Sequence, residues 1–466
     1  MNLISFKSDL INGNIVCPGD KSISQRILIL GWLLNKDVTI SGFLNAEDPL
    51  STANALNQIS DSIQINGNEV IIKERTIEPK DPENPIDLGN SGTGMRLMFG
   101  LISGLGIEAT LIGDDSLSNR PMKRVADPLK EMGALNNLNR GGTPPIEISK
   151  GKIIDDFVYE MPVASAQVKS SIMLAAIAAK KSVTVIEENP TRNHTERMIE
   201  YFKGNIEISP IWSNNSDSKY MWDEFKTPNK FMGNKIIYKH KELICPEHYE
   251  VVGDFSSASF LIVAGLISKS GKLVIKNVGL NPSRSLLISI LQSMGGQITI
   301  SNERKLSNEE VGDLTVSPSK LKGFDDFKLS SEVRSEDVIP NIIDEIPILC
   351  IAAAFAEGST MLGGLEELTI KESNRLAAIC DGFDAIGINY FSDRKSSIKL
   401  YGNYNKDIDG AEVDSHGDHR IAMSFLVAGM RSKNGIKVRD CKNIETSFPN
   451  FAHIMNSIGM KINEKN

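Results

Sequence analysis

The stretch Cys17-Pro-Gly-Asp-Lys-Ser-Ile-Ser-Gln-Arg26, running into Ile27-Leu-Ile-Leu-Gly-Trp-Leu-Leu34, decides how the rest of the chain is read. Pro18 and Gly19 break the strand-like Ile15-Val16, Asp20 or Ser22 can cap a helix, and an apolar run follows directly. A helix start carries free backbone N–H groups and the positive end of the dipole, so it favours an anion. Lys21, Ser22 and Arg26 add to this, and positions 22 and 26 share a helical face. The stretch predicts half of a phosphate or carboxylate site. In isolation, a capped core helix with solvated basic residues would read the same way.

Working outward, the pattern recurs at Gly89-Asn-Ser-Gly-Thr-Gly-Met-Arg96, Ala164-Ser-Ala-Gln-Val-Lys169, Gly253-Asp-Phe-Ser-Ser257, Asp344-Glu-Ile-Pro347 and Gly417-Asp-His-Arg420. Each start leads into a small, apolar helix and then a short strand such as Val183-Thr-Val-Ile186. A second amphipathic helix follows, often stopped by a glycine (Gly133, Gly295, Gly387, Gly459), a C-terminal signal. The starts lie roughly 70 to 90 residues apart, too far for solenoid repeats. The expectation is an α/β protein of two similar domains, each of three βαβαββ units, with a ligand cleft between them. Met1 to Val16 reads as strand ahead of the first unit and is expected to complete the far half. That gives one domain of residues 1–19 plus 253–466 and a second of residues 20–252. The polar stretch Ser209 to Lys241 has no helical period and reads as a hairpin.

With 466 residues, 41% apolar and 24% charged, the chain is long enough for two or three full cores. No apolar run reaches the roughly 18 residues that span a bilayer, and the first ten residues have no leader pattern. The start reads as cytoplasmic. A net charge of −8 argues against broad nucleic-acid or acidic-membrane binding, so an anionic substrate would need locally concentrated cations. The five scattered cysteines suit reduced thiols.

The repeat starts are rich in chemistry. The second offers Asn90, Ser91, Gly92, Thr93 and Arg96, the third Ser165, Gln167 and Lys169, the fifth Asp344 and Glu345, the sixth Asp418, His419 and Arg420. Intervening loops add Arg120, Lys123, Arg124, Arg192, His194, Lys371, Glu372 and Arg375. Facing each other across a cleft, these supply cations for two phosphorylated ligands and carboxylates for proton transfer. Asp20 spoils the Gly-x4-Gly-Lys-Ser pattern of a nucleotide-binding loop around Gly13 to Ser22. His416-Gly-Asp-His419 lacks a third metal ligand.

Lys21-Ser22, Arg26, Asn90-Ser-Gly-Thr-Gly-Met-Arg96, Asn119-Arg-Pro-Met122, Ser165-Ala-Gln167, Asp344-Glu345, Lys371-Glu-Ser-Asn-Arg375 and Asp418-His-Arg420 together resemble the 5-enolpyruvylshikimate-3-phosphate synthase family over essentially the whole chain. The resemblance implies two domains of three βαβαββ units and no cofactor or metal. The implied reaction transfers the enolpyruvyl group of phosphoenolpyruvate to the 5-hydroxyl of shikimate 3-phosphate, by addition and elimination, on the route to chorismate and aromatic amino acids. It implies that Ser22, Arg26, Ser165, Ala166, Gln167 and Arg192 hold shikimate 3-phosphate. Lys21, Gly92, Arg120, Arg375 and Arg420 would hold phosphoenolpyruvate, with Lys371 also at the site. Asp344 would be the base, Glu372 the acid, and Lys21 the group that assists phosphate departure.

The family's usual Asp stands as Asn374 here, which questions any ion pair with Arg375. The resemblance also implies glyphosate as an inhibitor; tolerant relatives carry Ala where this chain has Gly92. A monomer is expected. One alternative is the sister enolpyruvyl transferase acting on UDP-N-acetylglucosamine, which carries a loop cysteine; residues 108–169 contain none. Another is a non-catalytic sensor of phosphorylated metabolites, which would have no use for the acids.

Overall fold

A computed structural model describes residues 1–212, 231–324, 335–405 and 407–465. The six starts open the helices Lys21–Leu34, Gly92–Leu105, Ala166–Ala178, Phe255–Ile267, Ile346–Ala354 and His419–Gly429. Five of them begin at a side chain that accepts first-turn N–H groups: Asp20, Ser91, Ser165, Asp254 and Asp418. The helix Ile346–Ala354 instead carries Pro347 in its first turn, where a missing N–H breaks no helical bond. Asp20, not Ser22, is the first cap, and this alters one expectation. The N–H of Ile23 is taken by Asp20 at 2.8 Å and that of Lys21 by Asp254 at 3.0 Å. Anion binding at this start therefore rests on side chains and the dipole rather than on those amides.

The helices Phe255–Ile267, Ile346–Ala354 and His419–Gly429 are buried along their whole length, which is why they are apolar or small on nearly every face. They pack against one another, as Gly92–Leu105 does against Lys21–Leu34 and Ala166–Ala178. Second helices follow at Glu47–Ile59, Lys123–Glu131, His194–Tyr201, Leu286–Ser293, Arg375–Ile386 and Phe451–Ser457. Gly133, Gly295, Gly387 and Gly459 beyond four of them all have positive φ, as their stop role requires. In the third unit Phe157–Met161 runs parallel to Val183–Glu187, which pairs antiparallel with Phe231–Lys239, and that with Asn205–Trp212. The two outer segments of the expected Ser209–Lys241 hairpin are thus paired strands; residues 213–230 lie outside the described residues.

The opening residues form two strands rather than one. Leu3–Phe6 lies between Ile436–Arg439 and Lys461–Glu464, whereas Gly13–Val16 runs parallel to Leu273–Gly279. In return, His248–Glu250 runs parallel to Val38–Ser41. A short helix at Ser335–Ile342 was not expected from the sequence. One apolar cluster gathers residues between Leu3 and Cys17 with residues from Phe255 to Ile462; the other gathers Ile23 to Val252 together with Val311. Where the chain passes between them, its two crossings bond to each other: Asp20 N–H donates to Val252 at 2.8 Å and Asp254 N–H to Pro18 at 2.7 Å. A Cβ at Gly19 would lie 2.0 Å from the Gly42 oxygen, so only glycine fits there. No helix among the described residues is long and apolar enough to cross a membrane.

The helices Gly92–Leu105 and Ala166–Ala178 meet by close backbone approach along their lengths. A Cβ on Gly100 would sit 2.1 Å from the Ser171 oxygen, and one on Gly104 2.3 Å from the Ala175 oxygen. We expect Gly100→Ala to wedge these helices apart and cost about 1–3 kcal/mol, read as a lower urea midpoint at unchanged slope. A wild-type midpoint would show that the contact has slack.

Candidate active site

A cleft of about 490 Å³ lies between the two apolar clusters, with first-helix starts at its centre. Lys21, Ser22, Gly92, Ser165, Ala166 and Gln167 line one side, Asp344 and Arg420 the other. Segments leading to second helices bring Arg120, Arg192, Lys371 and Glu372 into the same space. The amide nitrogen of Gln167 donates to Thr93 Oγ1 at 2.8 Å, joining the second and third starts. Fourteen residues were anticipated as catalytic or ligand-binding; Arg26 and Arg375 are the two that do not line the cleft.

Those two lie directly behind its wall. Arg26 is 2% exposed and donates to Ser22 Oγ at 2.7 Å, Thr195 Oγ1 at 2.9 Å and Ser170 Oγ at 3.0 Å. Burial lowers the pKa of its guanidinium to about 10, which still leaves it charged at neutral pH. Arg375 is fully buried among three acids: Asp418 at 2.7 Å, Asp344 at 3.1 Å and Glu372 in direct contact. The doubt over Asn374 is resolved by its position. Its side-chain oxygen accepts from Ala377 N–H at 3.0 Å and caps the helix Arg375–Ile386, a role that Asn and Asp fill equally.

Cations and carboxylates in the cleft are paired. Lys21 Nζ lies 2.9 Å from Asp48, and Arg120 lies 3.9 Å from Glu372. Asp344 touches Arg192 and has Arg420 at 3.8 Å and Lys371 at 3.9 Å. Burial by itself would raise the Asp344 carboxyl, but Arg420, Arg192, Lys371 and Arg375 hold it well below the usual carboxylate range. Glu372 is likewise held low, its desolvation outweighed chiefly by Arg375 and then Arg120. Burial depresses His419, as do Lys21 and Arg420, so this imidazole is neutral at pH 7. Burial also lowers the Lys371 ammonium, against the opposing pull of Asp344.

The sequence reading missed Asp48 and Arg284, both of which line the cleft. Asp48 opens the second helix of the first unit, and Arg284 precedes that of the fourth. They occupy the places that Arg120, Arg192 and Lys371 hold in other units, so the repeat itself was the signal. Lys169, by contrast, has a fully buried side chain and does not line the cleft. Among the described residues, no cluster of three or more His, Cys, Asp or Glu could hold a metal ion.

The EPSP synthase (3-phosphoshikimate 1-carboxyvinyltransferase) family profile matches residues 7–216 and 229–455. A 3-phosphoshikimate 1-carboxyvinyltransferase of Petrotoga mobilis is 43% identical over 454 residues, spanning 96% of this chain and 97% of that protein. The enzyme of the same description from Hydrogenovibrio crunogenus is 39% identical over 466 residues, spanning 99% and 98%. A solved EPSP synthase from Acinetobacter baumannii superimposes with a TM-score of 0.81 at 34% identity, covering both chains completely. With a cleft built from the motifs that carried the resemblance, and relatives matching from end to end, the chain belongs to the EPSP synthase family.

Proposed function

We propose that the cleft residues divide the work of carboxyvinyl transfer from phosphoenolpyruvate to shikimate 3-phosphate, the activity of the family to which the chain belongs. The observation that carries this reading is that one buried guanidinium, Arg375, holds both Asp344 and Glu372, within reach of cations from the opposite side. Ser22, Ser165, Ala166, Gln167 and Arg192 receive shikimate 3-phosphate, with Arg26 charging that subsite from behind Ser22. Lys21, Gly92, Arg120, Lys371 and Arg420 receive phosphoenolpyruvate, with Arg375 as the buried counter-charge.

Asp344, ionised at neutral pH, takes the proton of the 5-hydroxyl as its oxygen bonds to C2 of phosphoenolpyruvate. Glu372 gives a proton to the methylene carbon, forming the tetrahedral intermediate. It then removes a proton from the resulting methyl group as the C–O bond to phosphate breaks, and Lys21 meets the departing charge. Of the cations that depress these carboxyls, Arg420, Arg192 and Lys371 beside Asp344 and Arg120 beside Glu372 line the cleft and are the ones a phosphate or carboxylate ligand would claim. Ligand binding therefore raises the proton affinity of Asp344 and Glu372, turning one into a better base and letting the other hold a proton.

No cysteine lines the cleft among the described residues, and both acids are in place, so neither the UDP-sugar reading nor the sensor reading gains support. The five cysteines are all free thiols, which fits a reducing cytoplasm. We place the enzyme there, as a monomer whose site is completed within one chain. Asp344→Asn and Glu372→Gln should each lower kcat about 10²–10⁴-fold with smaller changes in either KM. The assay is phosphate release with shikimate 3-phosphate as acceptor and UDP-N-acetylglucosamine as control. Near-wild-type kcat in either variant would remove its assigned role, and release with the UDP-sugar alone would favour the sister activity.

Glyphosate is proposed to compete for the phosphoenolpyruvate subsite. A Cβ on Gly92 would first meet the tips of Arg120 and Arg96, each at 2.9 Å, and then Leu117 at 3.8 Å. An added methyl would thus displace movable guanidinium groups and narrow the subsite. We expect competitive inhibition of the wild type, and Gly92→Ala to raise the glyphosate inhibition constant by a larger factor than the phosphoenolpyruvate KM. A wild-type enzyme indifferent to glyphosate would contradict this.

A further inference from the structure

Beside the cleft, which Glu187 also lines, is an ion cluster that none of these steps uses. Lys169, on the helix Ala166–Ala178, is fully buried, with its ammonium 3.0 Å from both oxygens of Glu187 and 2.6 Å from Glu196 Oε1. Glu187 ends the strand Val183–Glu187, and Glu196 stands in the first turn of the helix His194–Tyr201. Burial opposes the charged lysine, but Glu196 and Glu187 more than offset it and hold the ammonium protonated. As core filling, such a group is no better than apolar side chains of the same volume. Its geometric effect is different.

The two glutamates bracket residues 188–193, which form no helix or strand of their own and which carry Arg192 into the cleft. Glu187 grips this segment again near its middle, where its Oε2 accepts from Thr191 N–H at 3.2 Å and Thr191 Oγ1 at 2.8 Å. Arg192 is the next residue and reaches Asp344. At the other end of the cluster, Lys169 sits two to four residues beyond Ser165, Ala166 and Gln167 on one helix start. A single ammonium thus ties together the helix that presents three cleft residues and the loop that presents a fourth.

We infer that Lys169 is a positioning residue: by clamping Glu187 and Glu196 it fixes the 188–193 segment against the start of Ala166–Ala178 and sets Arg192 at the spacing of one phosphorylated ligand. This rests on the reading that Arg192 and Ser165–Gln167 hold shikimate 3-phosphate. The cluster acts on one substrate only, since no residue assigned to phosphoenolpyruvate is on either element.

The test is steady-state kinetics of the full chain with both substrates, alongside melting temperatures. Lys169→Met strips the cation from two buried carboxylates and can fail to fold, so Thr191→Val, which removes only the hydroxyl bonded to Glu187, carries the decision. We expect Thr191→Val to raise the KM for shikimate 3-phosphate about 3- to 10-fold, the worth of one hydrogen bond, with the phosphoenolpyruvate KM and the melting temperature unchanged. Lys169→Met, where it folds, should raise the same KM more than tenfold. If Arg192→Ala weakens shikimate 3-phosphate while Thr191→Val leaves its KM at the wild-type value, the positioning role is overturned and the site reading stands. If Arg192→Ala itself leaves that KM unchanged, the site reading falls and this inference with it.

Discussion

One carboxylate caps two helices that belong to different apolar clusters. Asp254 Oδ1 accepts from Ser256 N–H at 2.7 Å and Ser257 N–H at 3.3 Å in its own helix, while Oδ2 accepts from Lys21 N–H at 3.0 Å in the other. Because both chain crossings bond to each other at this point, the two helix starts are held together there. Arg284, 3.5 Å away, compensates the buried charge. Lys21 consequently stands at the junction and lines the cleft. We propose that residues 1–19 with 253–466 and residues 20–252 are two bodies hinged at this shared cap.

The cleft is a place of exchangeable charge more than of unpaired charge. A site of bare cations would be destabilised by repulsion before any ligand arrived; here acids already in place neutralise them. Partners cross between the two proposed bodies at Arg192–Asp344, Arg120–Glu372 and Arg124–Glu367. The last pair is nearly half exposed on both sides, so it is worth under about 1 kcal/mol. A phosphorylated ligand brings a stronger, more concentrated negative charge to the same cations. Exchange of partners then does two jobs at once: it binds the ligand and raises the proton affinity of the carboxylates released. Buried behind the wall, Arg26 and Arg375 keep their own partners, and so keep the field constant while the front-line pairs rearrange.

Much of this was legible in the chain because the signals are local. A capping side chain, or at Ile346–Ala354 an early proline, followed by an apolar run marks a helix start wherever it occurs, and the six starts announced the repeat and the centre of the cleft. Which side of the wall a long side chain ends on is not local. Arg26 and Arg375 were placed in the cleft by their neighbours in sequence, whereas their depth is set by Ser170, Thr195 and Asp418 from other units. Lys169 reads as a cleft cation for the same reason, and only the fold reveals Glu187 and Glu196 around it. Asp48 and Arg284 stand outside the basic motifs, in Glu47-Asp-Pro49 and Pro282-Ser-Arg284, where nothing local marks them. The helix at Ser335–Ile342 escaped because Pro340 argues against a helix interior. The break between the first two strands was written in Ser8-Asp9 and Asn12-Gly13, both turn signals.

On this proposal one site is shared by two hinged bodies, and a ligand replaces the pairs that cross between them. Small-angle X-ray scattering of the full chain, without and with saturating shikimate 3-phosphate, tests it most directly. A smaller radius of gyration on adding the ligand is the predicted result. An unchanged radius would contradict the hinge.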